Sequence, residues 1–266
     1  MCGEMRVLLL IACLLSAAMP MLAADAPTRH VLNSNGVKLS YVVAGKGEPV
    51  VLIHGLYSSN LMNWQLPGIF DMLAKDYKVI ALDMPGHGES DKPTNDAAYG
   101  EEMVEDVVRL LDELKITKAH VVGYSMGGMI TAKLMTKYPE RVSSGILGGM
   151  GWLREGSFLQ KIWENKGPKR GGAGEEKGNA SFGTPPACVQ SFGKLAISDE
   201  ELKAIRVPFT VLVGSQDPCK FLYVNPLQEA RKDIPVVTIE GAGHIDCVIN
   251  AQFKQEIKKW LDKQAK

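Results

Sequence analysis

The sequence predicts an α/β fold, a mostly parallel central sheet with helices on both faces. Three observations carry that expectation. Short β-rich apolar runs alternate along the chain with stretches whose apolar residues recur at helical spacing, the rhythm of βαβ units. The runs are apolar on both sides, so both faces of the sheet must be covered. One run also leads through a glycine-flanked serine directly into a helical stripe, giving a strand, a sharp turn and a helix in immediate succession.

Length and composition set the scale. At 266 residues, with 45% apolar and 23% charged side chains, the chain suits one large domain over residues 25–266 better than two small ones. Thirty basic and thirty acidic residues balance, which removes any electrostatic argument for nucleic acid or for an anionic membrane surface.

Taken from the start, Arg6, the apolar run Val7 to Leu15 and the small residues of Leu22-Ala23-Ala24 form the pattern of a secretory signal peptide over residues 1–24, cut after Ala24. Export to the periplasm or the extracellular space follows from that reading. Leu10-Ile11-Ala12-Cys13 resembles a lipoprotein cleavage box, the lesser alternative. Ser16 and Pro20 interrupt the segment before it reaches the roughly 20 apolar residues of a membrane span, so no stable span is expected after cleavage.

Strands are then expected at Lys38 to Val43, Val50 to Ile53, Val79 to Leu82, Ala119 to Val122, Gly145 to Leu147, Phe209 to Val213 and Val236 to Ile239. Helical stripes lie between them. Val104, Val107, Val108, Leu111 and Leu114 form one; Met126, Met129, Ile130 and Leu134 another; Phe253, Ile257, Trp260 and Leu261 a third. These stripes, methionines included, read as core faces. From Trp152 to Ile205 no period is sustained. Phe158, Leu159, Ile162 and Trp163 suit one short amphipathic helix, while Lys166 to Gly183 reads as an exposed mixed-charge loop with few apolar residues to anchor it.

The chemistry centres on Gly123-Tyr124-Ser125-Met126-Gly127. Glycines around Ser125 permit a turn too tight for side chains, so the hydroxyl stands out at a helix N-terminus whose N–H groups face developing negative charge. A serine nucleophile needs a histidine to take its proton and a carboxylate to fix the imidazole, in the order Ser, Asp or Glu, His on this kind of sheet. Asp217 follows the run Phe209 to Val213, and His244 follows Val236 to Ile239. Singly, Asp217 could cap the turn before Pro218 and His244 could be an ordinary loop residue. Together, three reactive residues just beyond the carboxyl ends of three strands converge at one edge.

With His54-Gly55 after Val50 to Ile53, and Asp83-Met84-Pro85-Gly86-His87-Gly88-Glu89-Ser90 after Val79 to Leu82, the chain resembles the α/β-hydrolase superfamily, in its small esterase-like branch. The resemblance covers nearly the whole chain. It implies oxyanion donors at the N–H groups of Leu56 and Met126, and the tetrahedral intermediate independently requires two such donors about 3 Å away. His54 is expected to orient the Gly55 loop and His87 to brace its turn. The resemblance also makes the insertion at 152–205 a lid, here reduced, which implies a preference for short acyl chains. Serine at the elbow separates the chain from the dehalogenases and epoxide hydrolases of this fold, which use aspartate, and from the dienelactone hydrolases, which use cysteine.

The reading that results is an exported serine hydrolase, carboxylesterase-like, acting on a small-molecule ester. The same triad would also serve amide, thioester, lactone or carbon–carbon bond hydrolysis, or a cofactor-free lyase or perhydrolase. A non-catalytic member that binds a small molecule is the alternative from another class. No cofactor is expected, and no metal, because the five histidines are scattered without ligand spacing and no C-x-x-C occurs. Cys219 and Cys247 fall on the loops of Asp217 and His244, so a bridge between them, or at least neighbouring side chains, is expected, with Cys188 free in the insertion.

Overall fold

A computed structural model describes residues 26–165 and 183–265. Residues 1–24, where a signal peptide is expected, and nearly all of the Lys166 to Gly183 loop lie outside the described residues. Eight strands form one sheet: β1 (Thr28–Ser34), β2 (Val37–Ala44), β3 (Pro49–Ile53), β4 (Lys78–Leu82), β5 (Ala119–Tyr124), β6 (Val142–Gly148), β7 (Phe209–Gly214) and β8 (Val236–Ile239). Their spatial order is β1-β2-β4-β3-β5-β6-β7-β8. Only β2 runs against its neighbours; from β4 to β8 every pairing is parallel.

The helices are α1 (Ile69–Leu73), α2 (Glu102–Glu113), α3 (Met126–Lys137), α4 (Phe158–Asn165), α5 (Pro186–Gln190), α6 (Asp199–Ala204), α7 (Asn225–Ala230) and α8 (Ala251–Gln264). Alternate residues of the central strands feed two cores, one on each side of the sheet. Val51, Ile53, Val121 and Val211 pack with α2 and α3, whereas Val50, Leu52, Val122 and Leu212 pack with α1 and α8. This two-sided burial explains why the strand runs carry no polar alternation.

Each of the seven expected strands is present, extended by up to three residues at an end. β1 is not among the expected strands, because most of it is exposed and so carries no apolar run. Its signal was the turn. Asn35 (φ 50°) and Gly36 (φ 85°) both occupy the left-handed region, as a two-residue hairpin between β1 and β2 requires.

The insertion departs further from expectation. The short helix is there as α4, with Phe158 76% exposed. Beyond it, α5 and the turn after it bury Ala187, Cys188, Val189, Phe192, Leu195 and Ile197, most of them in the α2/α3 core. The described part of the insertion is thus anchored by apolar side chains that showed no period because each helix spans barely one or two turns. Cys188 is fully buried in α5, not out in a loop.

Both ends of the described chain lie at one edge of the sheet. Thr28 pairs with Val43, and Ala44 with Val79 at the amino end of β4. At the other terminus Gln264 lines a cleft with Glu48, Pro49 and Lys118, residues at or before the amino ends of β3 and β5. Among the described residues no helix is long and apolar enough to cross a membrane.

Candidate active site

Ser125 sits between β5 and α3 with φ 53° and ψ −110°, a conformation L-residues rarely adopt. The glycines make it feasible. A Cβ on Gly123 would collide with the carbonyl of Gly127, and one on Gly127 with the carbonyl of Ile53. The turn is pinned by the Ser125 N–H, which donates to the Gly148 carbonyl (2.7 Å), and by the Gly128 N–H, which donates back to Ser125 (2.9 Å).

Asp217 and His244, on the loops after β7 and β8, meet this serine. Ser125 Oγ lies 2.9 Å from His244 Nε2, and His244 Nδ1 lies 2.8 Å from Asp217 Oδ2. The Asp217 side chain is fully buried, whereas that of His244 is 28% exposed, so the line runs from the interior to an accessible edge. The second carboxylate oxygen of Asp217 accepts the Cys219 N–H (2.8 Å). With both oxygens occupied, the carboxylate is fixed in orientation, which in turn fixes the imidazole tautomer.

Leu56 and Met126 flank the serine. Met126 is the first residue of α3, where backbone N–H groups lack intrahelical partners. Leu56 follows Gly55, and a Cβ on Gly55 would lie 3.3 Å from that of Ser125, so this loop runs directly beside the hydroxyl. Asn63, in a wide turn closed by the Leu66 N–H on the Leu61 carbonyl, accepts the Gly55 N–H on Oδ1 (2.7 Å).

His54 ties the loop to the next strand. Its Nε2 accepts the Met84 N–H (3.0 Å), so Nδ1 carries the proton and donates to the Gly55 carbonyl (2.7 Å). Complete burial lowers its pKa to about 4, and burial beside His54 lowers that of His87 to about 3. Both rings are therefore neutral brackets. His87 Nδ1 engages the Pro85 carbonyl (2.9 Å), and Asp83 closes the turn by accepting the N–H groups of Asn60 (2.7 Å) and Glu89 (3.1 Å).

Tyr124 has a role that its place in the sequence does not announce. Its hydroxyl donates to the His244 carbonyl (2.5 Å), its ring lies 5.6 Å from the His244 ring, and Phe253 packs edge-on against it. Burial, reinforced by Cys247 and Asp217, raises the phenol pKa and keeps it a donor. Asn63 gave no signal at all, since its role depends on a contact that local sequence does not encode.

The expected Cys219 to Cys247 bridge is absent: Cys188, Cys219 and Cys247 are free thiols. Each loop thiol has another partner, Asp217 for Cys219 and the Tyr124 hydroxyl for Cys247. Burial first, and Asp217 second, push the Cys219 thiol up to about 12.

Comparison with known proteins agrees with this fold. A family model described as alpha/beta hydrolase fold matches residues 48–170. The 2-hydroxymuconate semialdehyde hydrolase of Pseudomonas sp. (strain CF600) is 38% identical over 244 residues, 85% of this chain and 80% of that protein. A second relative, the dihydrolipoyllysine-residue acetyltransferase component of the acetoin cleaving system of Pseudomonas putida, is 42% identical over 119 residues, 43% of this chain. The match spans only 30% of that relative's length. Among solved structures, a thermophilic esterase from Thermogutta terrifontis superposes with a TM-score of 0.73 at 23% identity, over 90% of this chain and 100% of the other. An E-2-(acetamidomethylene)succinate hydrolase gives 0.71 at 18%, over 89% and 100%. By its sheet, its strand-end loops and a relative similar along most of both chains, this protein belongs to the alpha/beta hydrolase fold family.

Proposed function

We propose that this protein is an exported serine hydrolase that cleaves a small or medium carboxylic ester through an acyl-enzyme on Ser125. The observation that carries the reading is the unbroken hydrogen-bonded line from Ser125 Oγ through His244 to a buried Asp217. Ser125 attacks the ester carbonyl as His244 Nε2 takes its proton, and His244 then returns the proton to the leaving alcohol. The N–H groups of Leu56 and Met126 hold the oxyanion, and a water deprotonated by His244 releases the acid. Export rests on the signal-like pattern of residues 1–24, and cleavage after Ala24 would appear in the mass of protein recovered from a secreting host.

A second reading, hydrolysis of a carbon–carbon bond by the same residues, draws on the likeness to 2-hydroxymuconate semialdehyde hydrolase. The test is a fluorophosphonate probe with p-nitrophenyl acetate and longer acyl esters, run beside 2-hydroxymuconate semialdehyde. Wild type is expected to label and to hydrolyse the acetate. Ser125→Ala is expected to lose both by at least about a thousandfold while remaining folded. Activity of Ser125→Ala within tenfold of wild type would place the nucleophile elsewhere, and turnover of the semialdehyde above every ester would favour the second reading.

A further inference from the structure

The acid loop carries a thiol for which the proposed reaction has no use. Cys219 is partly exposed, and its sulfur, one carboxylate oxygen of Asp217 and one ring nitrogen of His244 all lie within 4.8 Å of one another. These donors show no ligand spacing in the sequence because they come from two loops 27 residues apart. Sulfur, imidazole nitrogen and carboxylate oxygen together suit borderline-soft divalent ions and not Mg²⁺ or Ca²⁺, which take oxygen ligands.

For the nitrogen and oxygen donors the adjustment is small. Around a tetrahedral ion, nitrogen and oxygen ligands at about 2.0–2.1 Å stand roughly 3.3 Å apart. His244 Nδ1 and Asp217 Oδ2 are 2.8 Å apart with a proton between them, so an ion replacing that proton spreads the pair by about half an ångström. The imidazole is 28% exposed and so is not enclosed on every side.

We propose that Asp217, Cys219 and His244 form an inhibitory site for Zn²⁺ or Cd²⁺. The ion binds Nδ1, the thiolate sulfur and the carboxylate. The Cys219 proton leaves to solvent, and the imidazole, which stays neutral, carries its one proton on Nε2 in place of Nδ1. Nε2 then points a hydrogen at Ser125 and has no lone pair with which to take the hydroxyl proton, so hydrolysis stops. Inhibition rests on the serine-hydrolase reading; binding of the ion does not.

The experiment titrates the full-length protein with Cd²⁺ and follows two signals, thiolate-to-cadmium charge-transfer absorption and p-nitrophenyl acetate hydrolysis. The absorption is expected to rise with one equivalent at this site as hydrolysis falls, with EDTA reversing both and Mg²⁺ producing neither. Cys219→Ala keeps the backbone N–H to Asp217. It is expected to lose that one-equivalent increment and to raise the half-inhibitory concentration at least about tenfold relative to its own metal-free rate. Cys219→Ser should behave likewise, and Cys247→Ala should retain both responses. An increment and a midpoint unchanged in Cys219→Ala overturn the site. A Cys219-dependent increment in a protein that hydrolyses none of the substrates upholds the site and removes the hydrolase reading, whereas hydrolysis with neither increment nor inhibition does the reverse.

Discussion

Ser125 carries a backbone conformation of the kind that costs about 1–3 kcal/mol in a residue with a side chain. Glycine has no such cost there but loses more chain entropy on folding, about 0.5–1 kcal/mol. Ser125→Gly is therefore expected to melt about 2–4 °C above Ser125→Ala, both being inactive; equal melting temperatures in calorimetry would mean that the turn is relaxed. Tyr124 acts one residue earlier, through the His244 carbonyl. Tyr124→Phe keeps the ring packing on Phe253 and removes only the hydroxyl, a loss of about 1–1.5 kcal/mol. If that loss falls on the placement of His244, kcat drops about tenfold with KM nearly unchanged, and fluorophosphonate labelling slows in proportion. A Tyr124→Phe enzyme with wild-type kcat would show that the histidine loop holds its place without the hydroxyl.

The loops that follow β3 and β4 are locked by two buried neutral histidines, and this gives the fold a pH signature. His54 and His87 have folded pKa values of about 4 and 3, against about 6.5 in an unfolded chain. Their contribution to stability is complete above pH 6.5 and is lost as pH falls, because the unfolded chain takes up protons that the folded one refuses. Each contributes a slope of up to about 1.4 kcal/mol per pH unit below pH 6, fading as pH reaches about 4 for His54 and about 3 for His87. Asp106 works in the opposite sense. Burial raises its carboxyl to about 6 despite Ser34 and Arg109, so its contribution is present below about pH 3.8 and lost as pH rises through 6. Urea melts at pH 4, 5, 6 and 7 should show His87→Gln with a pH slope shallower than wild type by roughly 1.4 kcal/mol per unit below pH 6. Parallel stability curves would show that His87 is protonated in the folded protein.

At the scale of the whole molecule, what the sequence disclosed was what local chemistry encodes. Two-sided apolar strands are legible because a parallel sheet buries both faces, and the meeting of Ser125, Asp217 and His244 was legible because each follows a strand that ends at the same edge. Contacts between distant segments were not legible. Nothing near Asn63 announces that it holds Gly55, and the proximity of Cys219 and Cys247 to Asp217 and Tyr124 did not reveal that each thiol would take those partners in place of one another. The exposed strand β1 and the brief helices α5 and α6 escaped for a related reason, since edge exposure and short length leave no period to detect.

The edge at which both ends of the described chain lie has a practical meaning for handling the molecule. Thr28 and Gln264 lie at the amino ends of the parallel strands, a full strand length from Ser125. A carrier domain, a bead or a surface attached at residue 26 or after residue 265 therefore sits behind the sheet, away from Ser125. Fusions at residue 26 and after residue 265 should keep kcat/KM for an ester within about twofold of the unfused protein, as far below the tenfold that corresponds to 1.4 kcal/mol as a passive tag should be. The same carrier spliced into the Leu61–Leu66 turn, beside Gly55, should abolish turnover. Oriented display through either terminus, front face outward, is thus a property that the sheet's connectivity confers before any linker is chosen.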